Sequence, residues 1–204
     1  MEDYAPALED IKKRQGDLLP HWTAERGIYH VTFRLADSLP STVLQSFMTE
    51  RDDLLRQKNL SKDDYDRLQY LASERIEEYL DSGAGECFMK QPPIAEIVSS
   101  AVQHFDGDRY RLHAWCVMPN HVHLVLEPLG KEELSKTIHS IKSFTANKVN
   151  QALCRKGAVW QPEYYDHLIR NEAAYHRVVD YVLKNPSKAN LREWQWVGSL
   201  RTTD

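Results

Sequence analysis

Between Arg109 and Glu127 the sequence carries two apolar, alternating segments joined by Met118-Pro119-Asn120. Successive side chains of a strand point to opposite faces, and Pro and Asn favour a tight reversal. Arg109 to Val117 and His121 to Glu127 therefore read as the arms of an antiparallel hairpin, around which any fold of this chain has to be built. Ile28-Tyr-His-Val-Thr-Phe-Arg34, β-branched and aromatic, is a further strand, and Val159-Trp160 and Tyr164 to Ile169 give short strand pieces around Pro162. Helical periodicity fills the intervals. Pro92-Pro93 opens a helix with Ile94, Ile97, Val98, Ala101, Val102 and Phe105 on one face, and Glu132 to Leu153 carries Leu134, Ile138, Ile141, Val149 and Leu153 as an apolar stripe. Asn171 caps a last helix to Asn185, which Pro186 is expected to end. Ser41 caps a helix from Thr42 to Arg56, a charged amphipathic run follows from Lys62 to Leu80, and Asp81-Ser-Gly-Ala-Gly85 reads as a loop. The order predicts an α+β fold: one ferredoxin-like antiparallel sheet with helices on one face, a single domain over residues 1–204 with a helical insertion at about 41–85. The tail from Trp194 onward is too short for a domain.

Composition narrows the class. With 204 residues, 42% hydrophobic and 27% charged, the chain has the make-up of one globular domain rather than a disordered or fibrous one. No segment reaches 18 uninterrupted apolar residues and the start lacks a secretory layout, so a cytoplasmic protein without membrane partners is expected. Cys87, Cys116 and Cys154 lie far apart with no CxxC pair, and are expected as small buried hydrophobes. The formal charge of −4 is unevenly distributed. Residues 1–90 hold 12 Lys and Arg against 18 Asp and Glu, whereas residues 91–204 hold 14 against 12. Lys131, Lys136, Lys142, Lys148, Arg155 and Lys156 cluster around the long helix, either as a phosphate-binding face or as an ordinary solvated one.

Chemistry is concentrated in two places. His121 and His123 sit at i and i+2 of a strand and so share a face, as two imidazoles must to hold one metal ion. In a chain with nine histidines such a pair also arises by composition, and hydrogen-bonded strand histidines remain the alternative. Tyr181 and Asn185, at i and i+4 of the last helix, stand one above the other. A boundary tyrosine and an Asn that ends a helix before Pro would look the same.

The combination is more specific. Trp115-Cys-Val-Met-Pro-Asn-His-Val-His-Leu-Val, Ser140-Ile-Lys-Ser-Phe-Thr145, Trp160-Gln-Pro-Glu-Tyr-Tyr-Asp166 and Asp180-Tyr-Val-Leu-Lys-Asn-Pro186 follow one another in this order. From about Gly27 to Ala189 the chain resembles the single-tyrosine transposases with an HUH motif (His, hydrophobic, His), in particular the REP-associated tyrosine transposases that act on palindromic DNA hairpins. The resemblance implies an HUH endonuclease core in which His121 and His123 bind a divalent metal, Asn185 is a third polar ligand, and Tyr181 is the catalytic nucleophile. It further implies cleavage and rejoining of single-stranded, hairpin-containing DNA through a covalent 5′-phosphotyrosine. Oxygen-rich ligation suits Mg²⁺ or Mn²⁺, and two imidazoles tilt the site toward Mn²⁺. Lys142, Ser143, Lys148 and Arg177 are candidates for phosphate contacts, and Trp160 and Tyr165 for stacking on unpaired bases. A monomer is favoured over the helix-exchanging dimer of smaller relatives, because little linker separates the last helix from its strand.

Three other readings fit parts of the pattern: a hairpin DNA or RNA binder on the same fold that has lost turnover, a replication or conjugation initiator with HUH chemistry, and a metallohydrolase with no covalent step. The intact His121, His123, Tyr181 and Asn185 argue against the first. The surroundings of the tyrosine argue against the second. Replacing Tyr181 by Phe separates the third, whose hydrolysis would survive loss of the hydroxyl.

Overall fold

The computed structural model describes residues 12–15, 20–23, 27–40 and 79–199, with scattered positions between 42 and 56. β1 (Lys12–Gln15) and β2 (Pro20–Thr23) pair antiparallel. The main sheet contains β3 (Ile28–Arg34), β4 (Tyr110–Val117), β5 (His121–Pro128), β6 (Tyr165–Ile169) and β7 (Val197–Ser199) in the spatial order β6-β3-β5-β4-β7, antiparallel throughout. Packed with it are α1 (Pro92–Gln103), α2 (Leu134–Ala152) and α3 (Glu172–Lys188). The hairpin read from the sequence is β4–β5, and it lies at the centre. The α+β architecture and antiparallel sheet agree with the expectation, while most of the 41–85 segment lies outside the described residues.

Alternation along the strands sorts side chains to two faces. Tyr29, Val31 and Phe33 of β3 and Val122, Leu124 and Leu126 of β5 enter one large apolar cluster with Ile94, Val98 and Val102 of α1 and Ile138, Ile141 and Val149 of α2. The opposite face carries Ile28, Ala114, Cys116, Val125 and Ile169, covered by Tyr175, Val179 and Val182 of α3. Helices therefore lie on both faces, not one. The reason is in the strands themselves: β4 and β5 are buried almost throughout, so the second face needs its own layer. Leu124 is fully buried in the central strand between the two arms of the sheet. Leu124→Ala is expected to cost about 2–5 kcal/mol, read as a lower urea midpoint at unchanged slope.

Two ends differ from expectation. Pro186 does not stop α3, which continues to Lys188. A proline there removes only the amide bond back to Val182, and the closing turn is secured by Ala189 N–H donating to the Asn185 carbonyl and Leu191 N–H to that of Pro186. The tail contributes β7, which pairs with the edge of β4. Gly198 crosses there against the Trp115 ring, and a Cβ at that position would overlap the indole. Cys87 and Cys116 are buried as expected, whereas Cys154 is exposed just beyond α2.

Candidate active site

His121 and His123 project from β5 onto the α3 side of the sheet and are fully buried. Their Nε2 atoms lie 3.0 Å apart. The hydrogen bonds behind them fix how the rings present themselves. The side-chain NH₂ of Asn120 donates to the carbonyls of Leu80 and Ala84, so its Oδ1 is left to accept from His121 Nδ1 at 2.7 Å. With that proton on Nδ1, neutral His121 carries its lone pair on Nε2, aimed at His123. Nδ1 of His123 lies 3.0 Å from Thr32 Oγ1 and 3.2 Å from His30 Nε2, both of which can accept its proton and free Nε2 in turn.

Cross-strand register explains this company. β3 pairs antiparallel with β5 so that Thr32 faces His123 and Arg34 faces His121. On its other side Thr32 faces Tyr165 and His30 faces His167 of β6. One polar row thus runs across three strands, and none of His30, Thr32 or Arg34 was visible as a site residue from local spacing. Burial keeps the histidines of this row neutral. It pushes His30 down to about 3, with His167 adding repulsion, and His121 down to about 3, with Arg34 adding repulsion. His123 is pushed well below the ordinary imidazole range by burial, then by His121, His30 and Lys188.

α3 brings the second half of the site. Its start is set by Asn171, whose side chain accepts from Ala174 N–H at 2.8 Å. Nearly three turns of amphipathic helix then place Tyr181 with its ring edge-on to His123, centroids 5.5 Å apart, and 6.0 Å from His30. Lys188, two turns on, sets its ammonium 4.3 Å from the Tyr181 ring centre. Asn185 is fully buried, and its Nδ2 lies 3.4 Å from His123 Nε2. Its Oδ1 has no hydrogen-bond partner.

These features fit a divalent cation. Two unprotonated imidazole nitrogens converge, and an orphaned amide oxygen is one amide rotation away from the same point. As the side chains stand, no three His, Cys, Asp or Glu among the described residues already form a metal site, so the amide of Asn185 is the third donor nearest to hand. His121, His123, Tyr181 and Asn185, chosen from spacing, are thereby brought together.

The residues chosen as DNA contacts are dispersed. Lys142 turns inward, its ammonium donating to the carbonyls of Gln161 and Pro162 at 2.8 and 2.7 Å and to that of Glu163, and burial lowers it to about 8. Trp160 is buried edge-on against Phe33 and donates its indole N–H to Thr145 Oγ1. Both hold the 160–163 segment rather than facing solvent. Ser143 and Lys148 are exposed on α2, with Lys148 over the exposed Phe144 ring. Arg177 is exposed one turn before Tyr181, and Tyr165 is half-buried beside Thr32.

The neutral buried row has a measurable consequence. His30 and His121 take up protons at about 6.5 when unfolded and only near 3 when folded. Their contribution is complete above pH 6.5 and is lost as pH falls from there toward 3, because the unfolded chain binds more protons. Each removes roughly 1.4 kcal/mol per pH unit in that window. Urea unfolding of the metal-free protein at pH 7.5, 6.0 and 5.0 is expected to show stability falling steeply below 6.5 and flat above 7; a flat profile down to pH 5 would contradict neutral burial.

Residues 89–185 match the family of IS200-like transposases. A REP-associated tyrosine transposase of Escherichia coli is 34% identical over 95 residues, 46% of this chain and 54% of that protein. The chain spans little more than half the length of the curated relatives it matches. Among solved structures, a REP-associated tyrosine transposase bound to a REP hairpin superposes with a TM-score of 0.50 at 20% identity, over 87% of this chain and 79% of that one, which shows a shared fold. The matched segment contains β4, β5, α2, β6 and the part of α3 bearing Tyr181 and Asn185, and over it the chain is similar to the IS200-like transposases and to their REP-associated tyrosine members.

Proposed function

We propose that this chain is a metal-dependent endonuclease and strand transferase acting on single-stranded, hairpin-containing DNA. The observation that carries the reading is the meeting of the Tyr181 ring with the convergent Nε2 atoms of His121 and His123, on a helix and a strand 60 residues apart in sequence. Tyr181 Oη attacks the scissile phosphorus, the Oη–P bond forms, and the P–O3′ bond breaks. The tyrosine proton leaves to solvent and the departing 3′ oxygen takes up a proton. A 5′-phosphotyrosine and a free 3′-hydroxyl result, and attack by another 3′-hydroxyl reverses the step without ATP. His121, His123 and Asn185 would hold Mg²⁺ or Mn²⁺, which when bound neutralises phosphate charge and orients it. Asn120, Thr32 and His30 keep the imidazoles turned toward that point.

Exposed Ser143, Lys148 and Arg177 are proposed to meet DNA phosphates, with Tyr165 beside the site for an unpaired base. Lys142 and Trp160 act indirectly, by shaping the segment that leads to Tyr165. The hairpin partner is supported by the shared fold with the hairpin-bound transposase. α3 packs on the sheet of its own chain through Val179 and Val182, which supports a monomer as the active unit, testable by light scattering. No helix among the described residues is long and apolar enough to cross a membrane.

Incubation with end-labelled single-stranded hairpin oligonucleotides and Mg²⁺ or Mn²⁺ tests the reading. The expected product is a protein–DNA adduct that survives denaturation. Tight hairpin binding with no adduct under either metal would favour the non-catalytic binder.

A further inference from the structure

Asp81 belongs to none of the motifs that resemble the transposases, and its place in the structure is unexpected. It is the last helical residue before the 82–85 turn and lies 40 residues before His121 in sequence. Its Oδ1 stands 4.0 Å from His121 Nε2. That oxygen is buried and has no hydrogen-bond partner. An unsatisfied buried carboxylate oxygen costs free energy, so something ordinarily compensates it.

Distances narrow what the compensating group is. Two donors each about 2.1 Å from one ion are about 3.0 Å apart when cis in an octahedron, about 3.4 Å in a tetrahedron, and at most about 4.2 Å when opposite. The spacings here are 3.0 Å between the two Nε2 atoms, 3.4 Å from Asn185 Nδ2 to His123 Nε2, and 4.0 Å from Asp81 Oδ1 to His121 Nε2. The imidazole pair already has the spacing of ligands that share an ion, while the Asp81 carboxylate, between the cis and opposite spacings, and the Asn185 amide oxygen reach it by side-chain rotation. Asp81, half-buried, and Asn185, fully buried, each leave one oxygen orphaned on this cluster.

The turn that carries Asp81 is tied to the metal-facing histidine. Asn120 holds the carbonyls of Leu80 and Ala84 with one end of its amide and the His121 ring with the other. Leu80, next to Asp81, is fully buried and anchors the turn. The same side chain therefore sets both the direction of His121 Nε2 and the position of the Asp81 backbone.

We propose that the Asp81 carboxylate is an additional ligand of the divalent metal, completing a set of two imidazoles, one amide oxygen and one carboxylate. The inference rests on the metal-centre reading above and adds to it an anionic ligand delivered from before the matched family segment. Two imidazoles and a carboxylate form a donor set suited to Mn²⁺ or Fe²⁺ as well as Mg²⁺, and the negative charge offsets that of the ion.

Calorimetric titration of the metal-free protein with Mn²⁺ at pH 7.5 tests this, comparing the native chain with Asp81→Asn, Asp81→Ala and His121→Ala. Affinity is expected to fall at least about tenfold in Asp81→Asn and about 30-fold or more in Asp81→Ala. Water-proton relaxation by the bound Mn²⁺ should rise in Asp81→Ala, as a further water takes the vacated position. Melting of the metal-free Asp81→Asn chain is expected to be unchanged or higher, since an orphaned charge is removed. Affinity within threefold of native in both Asp81 variants, with binding lost in His121→Ala, overturns the inference and leaves the metal centre standing. Absence of Mn²⁺ binding by the native chain overturns the metal centre itself, and the inference with it. A lowered metal-free melting temperature with native affinity assigns Asp81 to the fold and likewise overturns it.

Discussion

Tyr181→Phe is expected to abolish the denaturation-resistant protein–DNA adduct, a loss of at least about 10³-fold in the rate of strand cleavage, with hairpin affinity nearly unchanged. The substitution removes one hydroxyl and keeps the ring. Packing of that ring against His123 and His30 and under the Lys188 ammonium needs no hydroxyl, so the fold and the metal-facing imidazoles should be preserved. Gel-shift titration and denaturing electrophoresis on the same samples separate the two effects. Hydrolysis that persists in the variant, without adduct, would assign the centre to a metallohydrolase with no covalent step.

A comparable loss is expected for His123→Ala, for a different reason. His123 touches His121, Asn185, Thr32, His30 and the Tyr181 ring. Its removal should eliminate the metal-dependent rise in melting temperature. For the native chain that rise corresponds to about 2.7 kcal/mol when Mn²⁺ is present at 100 times its dissociation constant. The variant should also lose the adduct under both metals. Because burial strongly disfavours a charged His123, the same variant is expected to be less acid-labile than the native chain when metal is absent. A retained Mn²⁺-dependent shift would place the ion elsewhere.

What the sequence revealed was whatever is encoded over short range. The β4–β5 hairpin follows from alternation and its Pro-Asn turn, α2 from one apolar stripe, and the start of α3 from Asn171. His121 with His123 and Tyr181 with Asn185 are pairs set by the period of one element. Neither pair announces that it will meet the other, and the family resemblance, not spacing, joined them. His30, Thr32 and Arg34 enter only through the register between β3 and β5, a long-range property with no local signature. Asp81 enters through an amide that reaches across from Asn120. Lys142 shows the converse: a lysine on a basic helix looks solvent-facing until the 161–163 carbonyls are seen to converge on it. Pro186 reads as a stop because proline cannot donate back to Val182, yet only Ser187 and Lys188 follow it in the helix and the Ala189 and Leu191 amides close the turn.

The alternation of histidine and aliphatic residues at His121–Leu124 of β5 has an implication for how the chain finds its fold. A slip of one residue in pairing would turn Val122 and Leu124 toward α3 and thrust two imidazoles into the apolar layer beneath α1 and α2. Misaligned sheets are thereby penalised on both faces simultaneously, so the histidines serve as a proofreading device during assembly as well as a chemical one. Replacing both by valine or leucine would remove that discrimination, leaving β5 apolar on either side and its alignment to be set by the Met118–Asn120 turn and the neighbouring strands alone.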